Sequence, residues 1–364
     1  MPSINMQQCF VRNEELKHYP KVSIESIPSK FQLFISSTSN IYGKCLFVLI
    51  MLVINLFYCR ELLSLDAVFS FKLSAFIQLL YGNCLYMVFY FRYNRNLVKQ
   101  INDHWNSLQI DYDYETRKYF WTHTAIYRRL LYVLYTLFFI ISCFHPIFLY
   151  NGQHNIVIYF YLLVCSPLSL FNRICWNCIY FGLIHLAQTA VEFNLVKLKK
   201  MLHESRKDEK SLNINAIKNI RHKYLLSCRL VDKINEIVSP LQFLIFTNLI
   251  ANACQLSYSL LYNEQNELDK LLGNIQMGSI LMHILLYTHL TVKVHKKSQE
   301  SLAFVYKLSL KTNSMRLLNE ISLFLNHNEI GFTFGGMFLL TTSSLSTLFS
   351  ILTTIIIALP TFAK

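Results

Sequence analysis

Seven apolar stretches, each with at most one Lys, Arg, Asp or Glu, divide this sequence. They cover residues 41–59, 68–91, 130–149, 156–187, 238–262, 271–292 and 332–360. The hydrocarbon core of a bilayer is about 30 Å thick, and a helix needs about 20 mostly apolar residues to cross it. The sequence therefore predicts an all-α membrane protein with seven transmembrane helices. The fourth stretch is long enough that its end, beyond Arg173, is expected to extend past the bilayer.

Composition excludes two other classes of protein. Hydrophobic residues make up 53% of the chain and charged residues only 15%, whereas soluble proteins carry about 25% charged residues. One or two water-facing domains of this length could not bury so much apolar surface, which excludes an ordinary cytosolic enzyme. A disordered chain is excluded as well, because disorder requires low hydrophobicity.

The basic residues indicate the orientation of the chain. Of its 34 Lys and Arg residues, 28 fall in the four long segments outside the spans, 1–40, 92–129, 188–237 and 293–330. The opposite connections, 60–67, 150–155 and 263–270, contain only Arg60 and Lys270 as basic residues. Because cytoplasmic loops carry the excess of positive charge, we expect the N-terminus inside and the C-terminus outside. Residues 1–40 lack the apolar core of a signal peptide, so the first span is expected to act as signal anchor.

The net charge of +13 raises the alternative of nucleic-acid binding. The densest basic segment, residues 197–210, has no aromatic residue interleaved with its charges. A nucleic-acid-binding protein typically has a compact basic domain with base-stacking aromatics. We therefore interpret this segment as a solvated cytoplasmic surface that faces anionic lipid, and we expect no nucleic-acid partner.

The long inner segments are predicted to form a helical cytoplasmic platform. In 188–237 the apolar residues recur at spacings of three and four, typical of an amphipathic helix: Ile217, Ile220, Tyr224, Cys228, Val231 and Ile234. Segments 92–125 and 295–330 are predicted to be helical as well. The predicted organisation is a cytoplasmic segment 1–40, spans one to six with long cytoplasmic loops in 41–292, a cytoplasmic anchor region 293–331, a seventh span 332–360 and an extracellular tail 361–364.

The sequence contains none of the common signatures of catalysis or cofactor binding. The phosphate-binding, dinucleotide-binding, zinc-protease and nucleophile-elbow strings are absent. Cys175 and Cys178 form a CWNC string, but no second ligand pair accompanies them, so packed thiols are the favoured interpretation. We expect no enzymatic activity, no catalytic residue, no cofactor and no metal site.

Seven spans with the N-terminus inside do not fit a G-protein-coupled receptor, whose N-terminus lies outside. The third span also lacks an acidic-Arg-aromatic triplet at its inner end, since Arg128 and Arg129 stand at its beginning. The seventh span lacks the Asn-Pro-x-x-Tyr string.

The last part of the chain, residues 331–362, resembles the C-terminal signature of the insect gustatory receptors, which are related to insect odorant receptors. In that family a Phe-Thr and a Gly-Phe-Phe-type turn open the final helix, which ends in Thr-Tyr, five apolar residues and Gln-Phe. The matching positions are Phe332, Thr333, Gly336, Phe338, Thr354, the apolar run 356–360 and Phe362. The chain departs from the family at Ile355, where Tyr is usual, at Thr361, where Gln is usual, and at Thr341 and Thr342, where Asp-Arg is frequent.

The resemblance implies a multi-pass protein of the cell membrane, a homo- or hetero-tetramer of related subunits around one central pore. The final helix of each subunit would line the pore, and a small tastant bound in the outer half would open it to cations without selectivity. By position, the resemblance assigns the pore and gate to Thr354, Ala358, Thr361 and Phe362.

The residue chemistry of the last span leaves two interpretations open. Ser and Thr occupy nine of the fourteen positions in 341–354. Their hydroxyls can solvate a hydrated ion, or they can bond back to the helix and pack against a neighbour. The apolar run that follows suits a constriction that gates by dewetting. Pro360 is expected to bend or fray the helix there.

Aromatic and polar residues in the outer halves of spans two to six are the candidates for the ligand pocket: Phe76, His145, Tyr159, Tyr258, Met277 and His283. A sugar site would need several carboxylates and amides, and few lie there. We therefore expect an apolar or aromatic small molecule, such as a bitter-type tastant. The remaining alternatives are a non-conducting receptor-like subunit of the same fold and, with less support, a small-solute transporter, which would need inverted repeats that the sequence does not show.

Overall fold

The structure is a computed structural model that describes ten parts of the chain: residues 19–22, 41–64, 80, 83–85, 87–88, 90–149, 166–207, 213–262, 267–326 and 329–362. Eight helices are delimited within these parts, namely α1 Ile41–Ser64, α2 Arg95–Leu108, α3 Tyr114–Leu149, α4 Ser166–Lys207, α5 Ile214–Tyr262, α6 Glu267–Ser309, α7 Met315–Leu325 and α8 Thr342–Phe362. A short 3-10 turn, Ile110–Tyr112, joins α2 to α3. Two two-residue strands, β1 Thr333–Phe334 and β2 Phe338–Leu339, precede α8. The all-α architecture expected from the sequence is confirmed.

Four helices are much longer than a bilayer is thick. Helices α3, α4, α5 and α6 contain 36, 42, 49 and 43 residues, or about 54 to 74 Å at 1.5 Å per residue. Each therefore joins an apolar stretch and a neighbouring polar segment in one continuous rod. We call the polar ends of α4, α5 and α6 (188–207, 214–237 and 293–309), together with α2 and α7, the platform.

Three stretches of the described residues are long and apolar enough to cross a membrane: Asn177–Ser205, Ile214–Ser257 and Gly273–Ser309. A shorter apolar helical stretch spans Ile41–Val53. The predicted third span lies in α3, and the predicted seventh span overlaps α8. Most of the predicted second span, and the first ten residues of the fourth, lie outside the described residues.

Helix α4 is the centre of the fold. It packs against α3, α5 and α6, and every residue from 177 to 191 is buried. A helix that is apolar on all sides is stable only when other helices surround it. The position of α4 therefore follows from its sequence, which has no charged residue between Arg173 and Glu192.

The platform forms where amphipathic helices cover one another. The predicted stripe of α5 is buried at Ile217, Ile220, Tyr224, Val231 and Ile234, whereas Cys228 is half-buried. Helix α2 packs against α5 and begins at a capped terminus, where the Leu97 amide donates to Asn94 Oδ1 at 2.9 Å. Such a cap satisfies a backbone donor that the first helical turn leaves free. Helix α7 packs against both α5 and α6.

The seventh predicted span is only partly helical. Its apolar stretch starts at residue 332, but α8 begins at Thr342, because the preceding residues form an antiparallel hairpin that pairs Thr333 with Leu339 and Phe334 with Phe338. At the turn, Gly335 and Gly336 have φ values of +59° and +78°. Side-chain-bearing residues rarely adopt this conformation, so the glycine pair interrupts the helix. At its other end α8 continues to Phe362, two residues past Pro360.

Candidate functional site

One face of α8 carries hydroxyl side chains and is exposed on the isolated chain. Ser343, Thr347, Ser350 and Thr354 follow one another at spacings of three and four, and all four are exposed. Residues at such spacings lie on the same side of a helix. Ala358, which is half-buried, continues this side one turn further. We call these five positions the hydroxyl face of α8.

The threonines of this helix donate their protons back to its own backbone. Thr347 Oγ1 donates to the Ser343 carbonyl at 3.2 Å, and Thr354 Oγ1 donates to the Ser350 carbonyl at 2.9 Å. A hydroxyl oxygen that donates its proton still offers its lone pairs as acceptors. The two interpretations of these residues are therefore compatible, because a back-bonded hydroxyl on an exposed face can still accept from water or contact a cation.

The opposite face of α8 packs on α5. Leu345 and Leu348 line a narrow apolar crevice together with Phe246 of α5 and Ile284 of α6. Helix α8 therefore has an apolar side directed to its own subunit and a hydroxyl side directed away from it.

The segment before α8, residues 329–341, is tied to α5, and we call it the strap. The Thr333 amide donates to Asn235 Oδ1, and Asn235 Nδ2 donates to Thr333 Oγ1, both at 3.0 Å. One turn along α5, Ser239 Oγ accepts from the Gly336 amide at 2.8 Å and from Thr333 Oγ1 at 2.9 Å. The Gly335 amide donates to the Ser239 carbonyl at 3.3 Å.

Aromatic packing adds to these hydrogen bonds. Phe334 lies against Phe243 and Phe246 of α5, with ring centroids 5.4 and 6.0 Å apart, and stacks on Phe338 of β2 at 5.2 Å. A Cβ atom added at Gly335 would lie 3.2 Å from the Phe243 Cβ atom. The turn is therefore held close to α5, and glycine is what permits that approach.

The strap also contacts α6. The Ile330 amide donates to Ser298 Oγ at 2.9 Å, and Ser298 Oγ lies 2.9 Å from Tyr224 Oη of α5. Glu329 faces His295, with 3.4 Å between Oε2 and Nε2. The base of α8 is thus attached to two long helices at once.

A buried polar cluster joins α3, α4 and α6. Asn177 Nδ2 donates to Tyr135 Oη at 2.5 Å, and Tyr287 Oη donates to Asn177 Oδ1. The His283 ring lies edge-on to Tyr135, with centroids 5.6 Å apart, and its Nδ1 lies 2.7 Å from the Ser279 carbonyl. Tyr135, Asn177 and Tyr287 are not among the predicted pocket residues. A signal existed for Asn177, because an amide inside an apolar stretch needs a partner.

A charged cluster is buried where the platform meets α3. Lys297 of α6 pairs with Glu192 of α4, and its Nζ donates to Tyr119 Oη at 2.7 Å. Lys297 also lies over the Tyr119 ring, 4.5 Å from the centroid. His123 Nδ1 lies 2.9 Å from the Tyr119 carbonyl, and burial lowers the pKa of His123. The favoured state of His123 is therefore the neutral imidazole beside the lysine.

The structure brings together only some of the predicted site residues. Thr354 and Ala358 lie on the hydroxyl face. Met277 and His283 are half-buried on α6, and His283 belongs to the buried polar cluster with Tyr135. Thr361 and Phe362 belong to α8, His145 to α3 and Tyr258 to α5, but their side chains lie outside the described residues. Phe76 and Tyr159 also lie outside them. Within the part of the chain that the structure describes, no group of His, Cys, Asp and Glu could hold a metal ion.

Comparison with known proteins gives one family and one fold. The family described as 7tm chemosensory receptor matches residues 31–363. The insect olfactory receptor OR5 from Machilis hrabei in complex with eugenol matches with a TM-score of 0.72 and 14% identity, over 93% of this chain and 97% of that one. A second structure of OR5 from Machilis hrabei matches with a TM-score of 0.66 and 13% identity, over 88% of each chain. No curated protein matches the chain in sequence. The fold is therefore that of the insect olfactory receptor.

Proposed function

This chain belongs to the 7tm chemosensory receptor family, and on that premise we propose that it is a gustatory receptor. In this proposal it is one subunit of a tetrameric, ligand-gated, non-selective cation channel of the cell membrane that detects a small tastant. The platform and N-terminus lie in the cytoplasm, and the C-terminus lies outside. The observation that carries the proposal is the exposed hydroxyl face of α8.

The hydroxyl face needs a polar environment or a close partner. Lipid offers neither to the Ser343, Thr347, Ser350 and Thr354 side chains. Four copies arranged around one axis would turn this face of each subunit towards the others, because symmetric assembly repeats the same surface. The four faces would then surround a water-filled path. Thr354, Ala358, Thr361 and Phe362 form its outer, narrower part in this proposal, where apolar side chains can gate by dewetting.

The strap provides a mechanical connection from the ligand site to the pore. Helix α5 holds the strap through Asn235 and Ser239, and α6 holds it through Ser298. Both helices continue into the outer half of the subunit, where the resemblance to the gustatory receptors locates the ligand. A ligand that shifts α5 or α6 there would move the base of α8.

The ligand in this proposal is an apolar or aromatic small molecule. His283 and Met277 are half-buried on α6, and His283 adjoins the cluster of Tyr135, Asn177 and Tyr287. Such a site combines apolar lining with a few convergent polar groups, as ligand pockets do. The related OR5 structure in complex with eugenol, a small aromatic phenol, supports a ligand of this class.

Current recording tests the proposal directly. The chain is expressed alone and with related subunits, surface delivery is verified by labelling, and a panel of aromatic tastants and sugars is applied. We expect ligand-evoked currents carried by both Na⁺ and K⁺. Absence of current in every pairing, with the protein at the surface, contradicts a conducting role.

A second candidate function is a non-conducting subunit of the same fold. Ile355 and Thr361 replace the Tyr and Gln of the family signature, and Thr361 is one of the positions that the first proposal assigns to the outer pore. This alternative predicts an assembled oligomer at the cell surface without current of its own. It also predicts altered ligand responses when a conducting relative is present.

A further inference from the structure

Two lysines of the platform lie against the same phenyl ring. Lys197 Nζ of α4 is 3.9 Å from the centroid of Phe193, and Lys223 Nζ of α5 is 5.3 Å from it. Phe193 is 3% exposed, and both lysines are half-buried. Two ammonium groups from different helices are therefore held together at a partly desolvated place between α4 and α5.

No described carboxylate forms an ion pair with these two lysines, whereas other lysines of the platform have such partners. Among the residues that the structure describes, no carboxylate lies within 4.0 Å of Lys197 or Lys223. In the same region Lys297 pairs with Glu192, and Lys200 pairs with Glu204. Asp113 is the described carboxylate that attracts Lys197 electrostatically, and its Oδ2 atom accepts from the Thr116 hydroxyl.

A like-charged pair in this position is unfavourable by itself. The ring stabilises each ammonium only modestly, whereas repulsion between the two and the loss of water both oppose the arrangement. An anion in contact with both nitrogens would offset the repulsion and replace the lost water. The arrangement therefore fits a bound anion better than it fits an isolated structural contact.

We propose that Lys197 and Lys223, both packed against Phe193, form a binding site for a phosphate group. A phosphate monoester carries a charge of about −2 near neutral pH and three acceptor oxygens. Each lysine offers a compact positive charge with three rotatable N–H donors, which suits phosphate.

The surroundings supply further positive charge. On another side of α4, Lys199 and Lys307 both lie over Phe304, at 5.5 and 5.2 Å from its centroid. These two lysines are exposed, so they add to the local potential without forming a second enclosed site. Inositol phosphates carry several such groups, either free in solution or as the headgroup of a lipid. Their shared chemistry is what the site recognises.

Thermal melting of the purified full-length protein tests the site independently of any current. Inositol hexakisphosphate is added to protein in detergent, and phosphatidylinositol bisphosphate is added to phosphatidylcholine nanodiscs that hold the protein. We expect at least one probe to raise the melting temperature. Lys197→Gln and Lys223→Gln should each weaken binding of that probe, raising its dissociation constant about tenfold or more.

The same variants separate a binding role from a structural one. Without the probe, Lys197→Gln should melt at or above the temperature of the unchanged protein, because it relieves repulsion. With the probe present, Lys197→Gln should melt at a lower temperature than the unchanged protein. Lys197→Arg keeps the charge and should retain binding. Lys200→Gln is the matched control, since it removes one charge from the same helix without touching the ring, and its response should equal that of the unchanged protein.

Three outcomes would overturn the proposal. The first is that neither probe shifts the melting temperature. The second is that Lys200→Gln weakens binding as much as Lys197→Gln, which indicates general attraction to a basic surface. The third is that Lys197→Gln lowers the melting temperature equally with and without the probe. A response only to the soluble probe identifies a free polyphosphate, and a response only in nanodiscs identifies a lipid headgroup.

Discussion

Asn235 and Thr333 hold each other through two reciprocal hydrogen bonds, although 98 residues separate them in the chain. The amide side chain of Asn235 both accepts from the Thr333 backbone and donates to its hydroxyl, so one residue of α5 satisfies two groups of the strap. This pair connects α5 directly to the strap that leads into α8. Its removal is the most direct way to test whether the strap transmits movement.

Asn235→Ala should uncouple the strap from α5. It leaves the Thr333 amide and hydroxyl without their partner, and we expect a loss of about 1 to 2 kcal/mol in the free energy of unfolding. In recordings normalised to surface protein, the ligand-evoked current should fall. Asn219→Ala, at an exposed position of the same helix, is the control and should change neither quantity. An unchanged current for Asn235→Ala would contradict a role in transmission.

The two glycines of the hairpin turn should differ in their tolerance of alanine. Both have positive φ, but an added Cβ meets Phe243 at Gly335 and meets nothing within 4 Å at Gly336. We expect Gly336→Ala to cost about 1 kcal/mol and Gly335→Ala about 2 kcal/mol. Thermal melting in detergent measures both. The result would be inconsistent with this geometry if Gly336→Ala were the more damaging change.

Glu192→Gln should destabilise the junction of α3, α4 and α6. The side chains of Lys297 and Glu192 are only 11% and 22% exposed, so neutralising Glu192 leaves a poorly solvated ammonium without its partner. We expect a loss of about 3 kcal/mol. Glu204→Gln breaks a pair in which the Glu204 side chain is 53% exposed and the Lys200 side chain is 78% exposed. This change should cost less than about 0.5 kcal/mol. Equal effects of the two changes would show that burial does not decide the difference.

Thr354→Val should reduce ion flow more than Thr353→Val does. Both threonines donate to a carbonyl one turn earlier, and both are exposed, but only Thr354 lies on the hydroxyl face. The substitution keeps the shape of the side chain and removes its acceptor oxygen. Single-channel conductance is the measurement, and Phe362→Ala should alter it as well. If the two valine variants conduct equally, the pore runs along another side of α8.

Epitope tags test the orientation. A tag at the N-terminus should stain only after permeabilisation, and a tag at the C-terminus should stain on intact cells, because most Lys and Arg residues fall in the four long segments that the sequence predicts to be cytoplasmic. Staining of the C-terminal tag only after permeabilisation would reverse this assignment.

The all-α class and the long helices could be predicted because apolar length and three-to-four periodicity are local properties. Hydropathy does not predict the hairpin, although the resemblance to the gustatory receptors implies a turn at the start of the final helix. Gly335 and Gly336 lie in an apolar stretch, and hydropathy does not register a change in φ.

The polar contacts of the site could not be predicted, because they join residues far apart in the chain. Asn177 meets Tyr135 across 42 residues and Tyr287 across 110, and Lys297 meets Glu192 across 105. In the sequence, each of these residues is an isolated polar position with no partner nearby. Only the packing of α4 among its neighbours identifies the partners.

The attachment of the strap to α5 through Asn235 and to α6 through Ser298 has a consequence for pharmacology. In the proposed channel, the base of α8 would respond to displacement of either long helix. A compound that bound the same pocket without displacing α5 or α6 would occupy the receptor and leave α8 at rest. Such a compound would act as a competitive antagonist, and antagonists and agonists could then share one pocket while differing only in whether they displace these helices.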